Sequence, residues 1–563
     1  MGESTPTNGT NPTERHAIGI SFGNSNSSIA YTTVEDKAEV IANEDGDRQI
    51  PSILAYVDGE EYNGQQAKAQ LVRNSKNTVA YFRDFLGQEF KSIDPTHTHA
   101  SAHPKAHEST IAFEIQDKEG DATSTVTVSE ITTRHLRRLV QSASDFSGKP
   151  INCAVITVPT NFSDAQKAAL TTAANNAGLE VLQLINEPVA ALLAYDARAE
   201  NKVSDKIVVV ADLGGTRSDV AVVASRGGMY TILATAHDYE FAGVHLDKVL
   251  EDHFAKEFIK WNTTDPRTIP RSMAKLKLEA EACKKALSIG TNASFSIESL
   301  AEGADFASTI NRLRYETIAR KVFDGFNRLI ESVVKKAGLD VLDVDEVILS
   351  GGTSHTPKIA SNMRSIFPET TTVLAPSTTP TAINPSELQA RGAALQASLI
   401  ESFEAEDIEQ STHAAVTTVK HLTNAIGVLA ITADEKKGAF TPIIVAETAV
   451  PARRTIHINA PPAGGDVLIK IVEGGSHIKV TQVEKSAEEK DSEDSDDDSD
   501  DEPEEKREKI WKTGNVIAEA AVKDVKKGGK VEVMINVAGD LAVTVTAREV
   551  GGKGGVRGNL TAP

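Results

Sequence analysis

From Ala17 to about Ile400, short apolar runs alternate with helix-length stretches of mixed character. The runs are AIGI (17–20), CAVITV (153–158), KIVVVA (206–211), SDVAVVAS (218–225) and EVILS (346–350). Each is long enough for a strand and too short for a helix, so the alternation predicts an α/β architecture. Ser163 can cap a helix running through the Ala-rich stretch to Gly178, the residue type that ends helices in a left-handed turn. The pattern fades in ESFEAEDIEQSTHAA (401–415), which reads as a linker. From 416 to 563 the period becomes two, in IIVAETAVPARRTIHI, VLIKIV (467–472) and LAVTVTA (541–547), and predicts a compact β domain. Residues 1–16 have no apolar pattern and read as a disordered leader.

Charge changes this picture in one place. The 563 residues carry 80 acidic and 59 basic side chains, a net of −21. Glu484–Glu505 alone holds 14 carboxylates against two lysines, a net of −12, which leaves −9 for everything else. Such a block buries nothing, and apolar runs resume after it, so 484–509 reads as a disordered acidic insertion within the β domain. A solubilising loop is the simplest role; docking to a basic partner and phosphorylation at Ser492, Ser495 or Ser499 are the others. The acidic balance argues against a surface that grips nucleic acid directly. Two cysteines, Cys153 and Cys283, fit a reducing compartment. There is no apolar signal peptide and no run long enough to span a membrane, so a soluble, cytoplasmic protein is expected. His97, His99, His103 and His107 lie in a Pro-, Ser- and Ala-rich stretch without cysteines, and read as a polar loop; no metal site is predicted.

Neither GxxxxGK[ST] nor a GxGxxG opening a helix occurs. Instead IGISFGNSNSSIAYTTV (18–34) and VVVADLGGTRSDVAVVA (208–224) share a strand, a Gly-rich polar turn and a second strand. Such turns present successive backbone N–H groups that cradle phosphates, and two of them suggest duplicated lobes closing on one nucleotide.

These turns, with ITVPTNFSDAQKAAL, LINEPVAALLAY, LSGGTSHTPK and NPSELQARGAALQA, carry a resemblance to the seventy-kilodalton heat-shock (DnaK) chaperone family, over about Ala17 to Ala547. The resemblance implies a two-lobed actin-like ATPase domain over 17–400, then a β-sandwich substrate-binding-like domain that lacks the family's helical lid. Within the family, the chain is similar to the atypical fungal branch whose members pair with the J-domain protein zuotin on ribosomes. The implied ligand is ATP. On the phosphate side the matching positions are Gly23, Asn24, Ser25, Asp212, Gly214, Gly215, Thr216 and Arg217. On the adenosine side they are Glu281, Lys284, Lys285, Ser288, Gly351, Gly352, Thr353 and His355. The helix RSMAKLKLEAEACKKALS (271–288) gives Met273, Leu276, Ala280, Cys283 and Leu287 as one apolar stripe and the four polar residues as another. Periodicity alone makes that second stripe a solvated face; only the family pattern turns it to the ligand.

The catalytic positions depart from the family. Ser21 replaces an acidic residue, Arg83 a lysine and Arg217 a threonine, while Glu187, Asp212 and Asp219 remain. A hydroxyl holds hydrated Mg²⁺ poorly, so whether Mg²⁺ accompanies ATP stays open. A planar guanidinium does not place a water as an ammonium does. Arg217 is also placed to clamp a triphosphate. The expectation is a non-catalytic, ATP-binding pseudo-ATPase, in a stable heterodimer with a zuotin-like J-domain protein and, through it, on the ribosome. It would act as co-chaperone to a separate, competent DnaK-family chaperone during folding of nascent chains. An active ATP-dependent folding chaperone with divergent catalytic residues is the alternative.

Overall fold

The computed structural model describes residues 15–92, 104–116, 122–198, 204–412, 422, 424–430, 439–445, 448, 450–461, 463–483, 504–552 and 555–560. The expected leader up to residue 14, His97, His99, His103, positions 413–421 and the acidic run over 484–503 lie outside these residues. His107 lies in a short exposed strand, Lys105–His107. The chain divides into two compact units, one centred on residues 1–412 and the other on 413–563.

The first unit is built on two mixed sheets. In one, Ala17–Phe22 runs parallel to Cys153–Val158, which runs parallel to Glu180–Asn186. Ala17–Phe22 also pairs antiparallel with Asn26–Thr32, so the first glycine turn is a hairpin, as its pattern predicts. CAVITV is buried at all six positions, as a strand covered on both faces must be. In the other sheet, Met229–Asp238, Ser218–Arg226, Lys206–Leu213, Glu346–Ser350 and Thr372–Leu374 are neighbours in that order, and Lys206–Leu213, Glu346–Ser350 and Thr372–Leu374 run parallel. Ser163 caps the helix Asp164–Asn176 in a reciprocal box with Gln166, and Gly178 follows with φ +93°.

Small residues let a helix lie directly on the first sheet. A Cβ on Gly19 would meet Ala394 N at 2.1 Å, so Leu388–Ile400 packs backbone to backbone on Ala17–Phe22. That helix continues into a segment the sequence marked as linker. Ala405–Thr412 is in fact helical, and Ile408 is buried with Val155, Leu182, Ile185 and Ala397. Phe403 and Ile408 are too few to give a readable period in an acidic stretch, yet Ile408 is buried while Phe403 stays exposed.

The second unit is a sandwich. One sheet orders Ala439–Ile444, Ala425–Ala430, Gly465–Val483 and Glu504–Val525; the other orders Ala452–Asn459, Lys530–Val537, Val543–Glu549 and Gly555–Leu560. Lys530–Val537 alternates strictly, with Val531, Val533, Ile535 and Val537 turned into a shared core with Ile426, Ile469, Ile471 and Val522. The acidic insertion is shorter than its charge suggests. Glu504–Lys509 is not loop but strand, paired with Ile478–Val483. The strand Ala425–Ala430 pairs only as far as Gly474, so the strands beyond it continue as a two-stranded ribbon.

Among the described residues no helix is long and apolar enough to cross a membrane.

Candidate functional site

All sixteen residues named for nucleotide contact line one cleft of about 830 Å³ in the first unit, together with Ser21, Arg83, Glu187 and Asp219. The two glycine turns meet at its base. A Cβ on Gly215 would stand 2.3 Å from Ser25 Oγ, so glycine is what lets the turns touch. Asn24 Nδ2 donates to Thr216 Oγ1 at 2.9 Å. Asn24 Oδ1 and Ser25 Oγ are buried without a hydrogen-bond partner, which leaves an orphaned hydroxyl beside two runs of backbone amides. A phosphate oxygen accepts what these groups donate.

The third turn closes against the second. Gly351 takes φ +82°, and a Cβ there would collide with Asp212 Oδ1 at 2.5 Å. Thr353 Oγ1 donates to Gly214 O at 2.9 Å. His355 shares a hydrogen bond with Ser386 Oγ at 3.1 Å, and burial lowers its pKa, which favours the neutral ring.

On the opposite wall stands the helix Pro270–Ile289. Leu276, Ala280, Cys283 and Leu287 are buried, Met273 only half so, and the polar stripe faces the cleft. Glu281 pairs with Lys68 at 2.6 Å and Lys285 at 2.7 Å. Burial pushes its carboxyl up, but Lys68, Lys285 and Lys284 together hold it down at about 2. Lys284 pairs with Asp247 at 2.7 Å and donates to Gly243 O.

The phosphate end is different. Arg83 is 4% exposed and holds Asp84 at 2.8 Å and Glu187 at 3.1 Å. Arg217, equally buried, grips both oxygens of Asp219, donates to Tyr239 Oη at 3.0 Å and to Asn161 Oδ1 at 2.9 Å. Tyr239 in turn donates to Asp84 Oδ2 at 3.2 Å, joining the two arginines into one network. Four of the five guanidinium N–H donors of Arg217 are thus taken, which leaves little of the triphosphate clamp that its position suggests. Ser21 Oγ donates to Gln389 Oε1 at 3.0 Å.

Glu187, Asp212 and Asp219 each bring a carboxylate oxygen within 4.8 Å of the others, a spacing that suits one cation. Two of the three already have an arginine. Burial pushes Glu187 and Asp212 above the usual carboxylate range, and their mutual repulsion with Asp219 adds to it. A divalent ion would find only Asp212 without an arginine partner among the described residues, and a hydroxyl at Ser21. The residues fit a phosphate better than they fit a metal.

Sequence reasoning missed Lys68, Asp84, Asn161, Tyr239, Asp247 and Gln389. Asn161 and Gln389 lie within ITVPTNFSDAQKAAL and NPSELQARGAALQA, but nothing in those stretches marks them as partners of Arg217 and Ser21, which are distant along the chain.

Residues 17–474 match the Hsp70 protein family. This chain belongs to the Hsp70 family. It is 46% identical over 549 residues to a heat shock protein 70 homolog of Schizosaccharomyces pombe, covering 96% of this chain and 95% of the relative. It is 43% identical over 548 residues to the ribosome-associated complex subunit SSZ1 of Saccharomyces cerevisiae, covering 96% and 99%. Heat shock 70 kDa protein 14 of Danio rerio is 31% identical over 464 residues, 81% of this chain and 88% of the relative. Hsp70 proteins bind ATP, and the cleft is where this member brings its glycine turns and polar helix face together.

Proposed function

We propose that this chain is an ATP-holding chaperone subunit that does not turn ATP over. Gly23, Asn24, Ser25, Gly214, Gly215 and Thr216 hold the phosphates; Glu281, Lys284, Lys285, Ser288 and the turn Gly351–Thr353 with His355 hold the adenosine. One observation carries the reading: the cations of the cleft floor, Arg83 and Arg217, are bound to Glu187 and Asp219. Phosphoryl transfer needs a positioned water, a metal and free charge at the γ-phosphate. Here two of the three carboxylates that would organise a hydrated metal, Glu187 and Asp219, are already paired with arginines, and Ser21 brings no charge. The arginines spend their charge on these carboxylates, so they offer no free cation to the γ-phosphate in place of Mg²⁺.

The likeness to a ribosome-associated complex subunit supports the second half of the proposal. The first unit serves as a structural module, 416–563 as a peptide-binding-like β domain, and both work in a constitutive heterodimer with a J-domain protein in the cytoplasm, on the ribosome. Exposed edges of the sandwich suit strand addition by that partner. The pair assists a separate, competent Hsp70 in folding nascent chains.

The test is single-turnover hydrolysis by the purified heterodimer, with its nucleotide content measured. The expected result is ATP retained intact in the presence and absence of Mg²⁺. Hydrolysis stimulated by a J-domain protein would overturn the reading in favour of an active chaperone.

A further inference from the structure

The helix Gly243–Asn262 packs against Pro270–Ile289 and carries a carboxyl that nothing in the cleft uses. Glu251 is 3% exposed, and its Oε2 is buried without a hydrogen-bond partner. Among the described residues it is in no ion pair. The cations around it are spent elsewhere. Lys284 is on Asp247, Lys248 and Arg267 are on Asp252, and Lys68 and Lys285 are on Glu281. Lys277 is exposed and pulls on Glu251 from the solvent side. Tyr81 adds no positive charge; its hydroxyl feels the repulsion of Glu281, Asp247 and Glu251 together. A carboxylate placed there gives up its hydration and gains no partner, so the neutral acid is the favoured form. Burial is the main cause and takes the Glu251 pKa up to about 7, with Asp247 and Asp252 adding to the rise against Lys277 and Lys248.

What stands one turn away gives this proton a consequence. Asp247, four residues earlier on the same helix, lines the cleft and holds Lys284 at 2.7 Å. Lys284 also donates to Gly243 O at 3.0 Å, so the adenosine wall is tied twice to the first turn of Gly243–Asn262. That same turn is tied to the phosphate side. Gly243 N donates to Gly214 O at 3.0 Å and Val244 N to Gly215 O at 2.8 Å. A Cβ on Gly243 would stand 2.6 Å from Thr353 Oγ1, so the third turn touches it too. The start of one helix therefore joins all three parts of the cleft. We infer that Glu251 is a positioning residue for the nucleotide: as the neutral acid it lets Gly243–Asn262 seat its first turn against Lys284 and Gly214–Gly215, and once ionised it draws water between the helices and loosens that seat. Nucleotide then leaves faster on the alkaline side of neutrality. The inference rests on the nucleotide reading of the cleft and adds what sets the firmness of the grip.

The experiment follows release of a fluorescent, non-hydrolysable ATP analogue from the full-length heterodimer by stopped flow, from about pH 6 to about pH 8.5. The neutral fraction of Glu251 falls from about nine-tenths at pH 6 to about one-tenth at pH 8. Release should accelerate about fivefold over that range, with its midpoint near 7. Glu251→Gln keeps the shape and cannot ionise, so it should release at the parent's acid-side rate at every pH. Glu251→Ala leaves a hole instead and should release faster than the parent at the acid end, without a slope. An unchanged acid-side melting temperature verifies the fold of the Gln variant. Infrared difference spectra across the same range should show the parent losing a protonated-carboxyl C=O band that Glu251→Gln diminishes. A flat parent profile with the analogue bound overturns the inference and leaves the nucleotide reading standing. So does a slope that survives in Glu251→Gln, which would assign the titration to Glu187 and Asp212 at the phosphate end, and so does a band equal in both proteins. A heterodimer that binds no analogue at any pH overturns the nucleotide reading and this inference with it.

Discussion

The two ends of the cleft hold similar numbers of charges and use them oppositely. On the helix Pro270–Ile289, Glu281 and Lys284 are anchored by neighbours yet keep their stripe open to the cavity. At the phosphate end, Arg83 and Arg217 are turned onto Glu187, Asp84 and Asp219, and Tyr239 ties them together. Ion pairs on the first wall orient groups toward a ligand; ion pairs on the second replace one. A site can therefore keep its shape and lose its chemistry when its cations and anions satisfy each other.

The largest break in that comparison comes from removing a partner on the closed side. Arg217→Ala leaves Asp219, whose side chain is 16% exposed, with no guanidinium. Stranding a buried charge costs about 3–5 kcal/mol, so the denaturation midpoint should fall sharply. Arg217→Ala with Asp219→Asn should recover more than half of that loss, because the stranded charge goes too. A single variant within about 1 kcal/mol of the parent would show that the network is not what fills the phosphate end.

Beneath the first turn a second effect is set by pH. His135 Nε2 meets Ser27 Oγ at 3.0 Å and its Nδ1 meets Asn63 at 3.2 Å, and burial lowers its pKa from 6.5 to about 3. Between those values the unfolded chain binds one more proton than the folded one, so stability rises with pH there and is lost on acidification. The loss is about 1.4 kcal/mol per pH unit below 6.5, or about 2 kcal/mol at pH 5. His135→Gln, which keeps a polar contact and cannot titrate, should flatten the stability profile between pH 6.5 and 5. An unchanged slope in the variant would move the acid sensitivity elsewhere.

The difference between the two walls also explains what could be read without coordinates. The hairpin at 18–34, the capped helix from Ser163 and the apolar stripe of Leu276, Ala280, Cys283 and Leu287 are local patterns, and they stand in the structure as their periods imply. The substitutions at Ser21, Arg83 and Arg217 were equally visible. Their consequence was not, because it depends on Asn161 and Tyr239, which reach Arg217 only through the fold, and on Asp84, which adjoins Arg83 in sequence but meets Tyr239 only in the structure. Composition misled at two boundaries for a related reason. Glu504–Lys509 is highly charged yet pairs as strand, and Ile408 sits in an acidic stretch yet is buried. In both, a tertiary or cross-strand contact outweighs the local tendency.

The smallest effect separates binding from stability on the open side. Lys68, on the helix Gly64–Ala69, reaches Glu281 on the helix Pro270–Ile289, with side chains 14% and 23% exposed. Lys285 also holds Glu281, so Lys68→Ala does not strand the carboxylate and should cost no more than about 1 kcal/mol of stability. The ion pair nonetheless bridges two elements that flank the cavity. Losing it removes a tie across the adenosine end and leaves the phosphate network of Arg83 and Arg217 untouched. Release of a fluorescent ATP analogue, followed by stopped flow, should therefore accelerate by roughly three- to tenfold, which corresponds to about 1 kcal/mol. If release stays at the parent rate while the melting temperature falls, Lys68 braces the helix without guarding the ligand, and retention rests on the phosphate end alone.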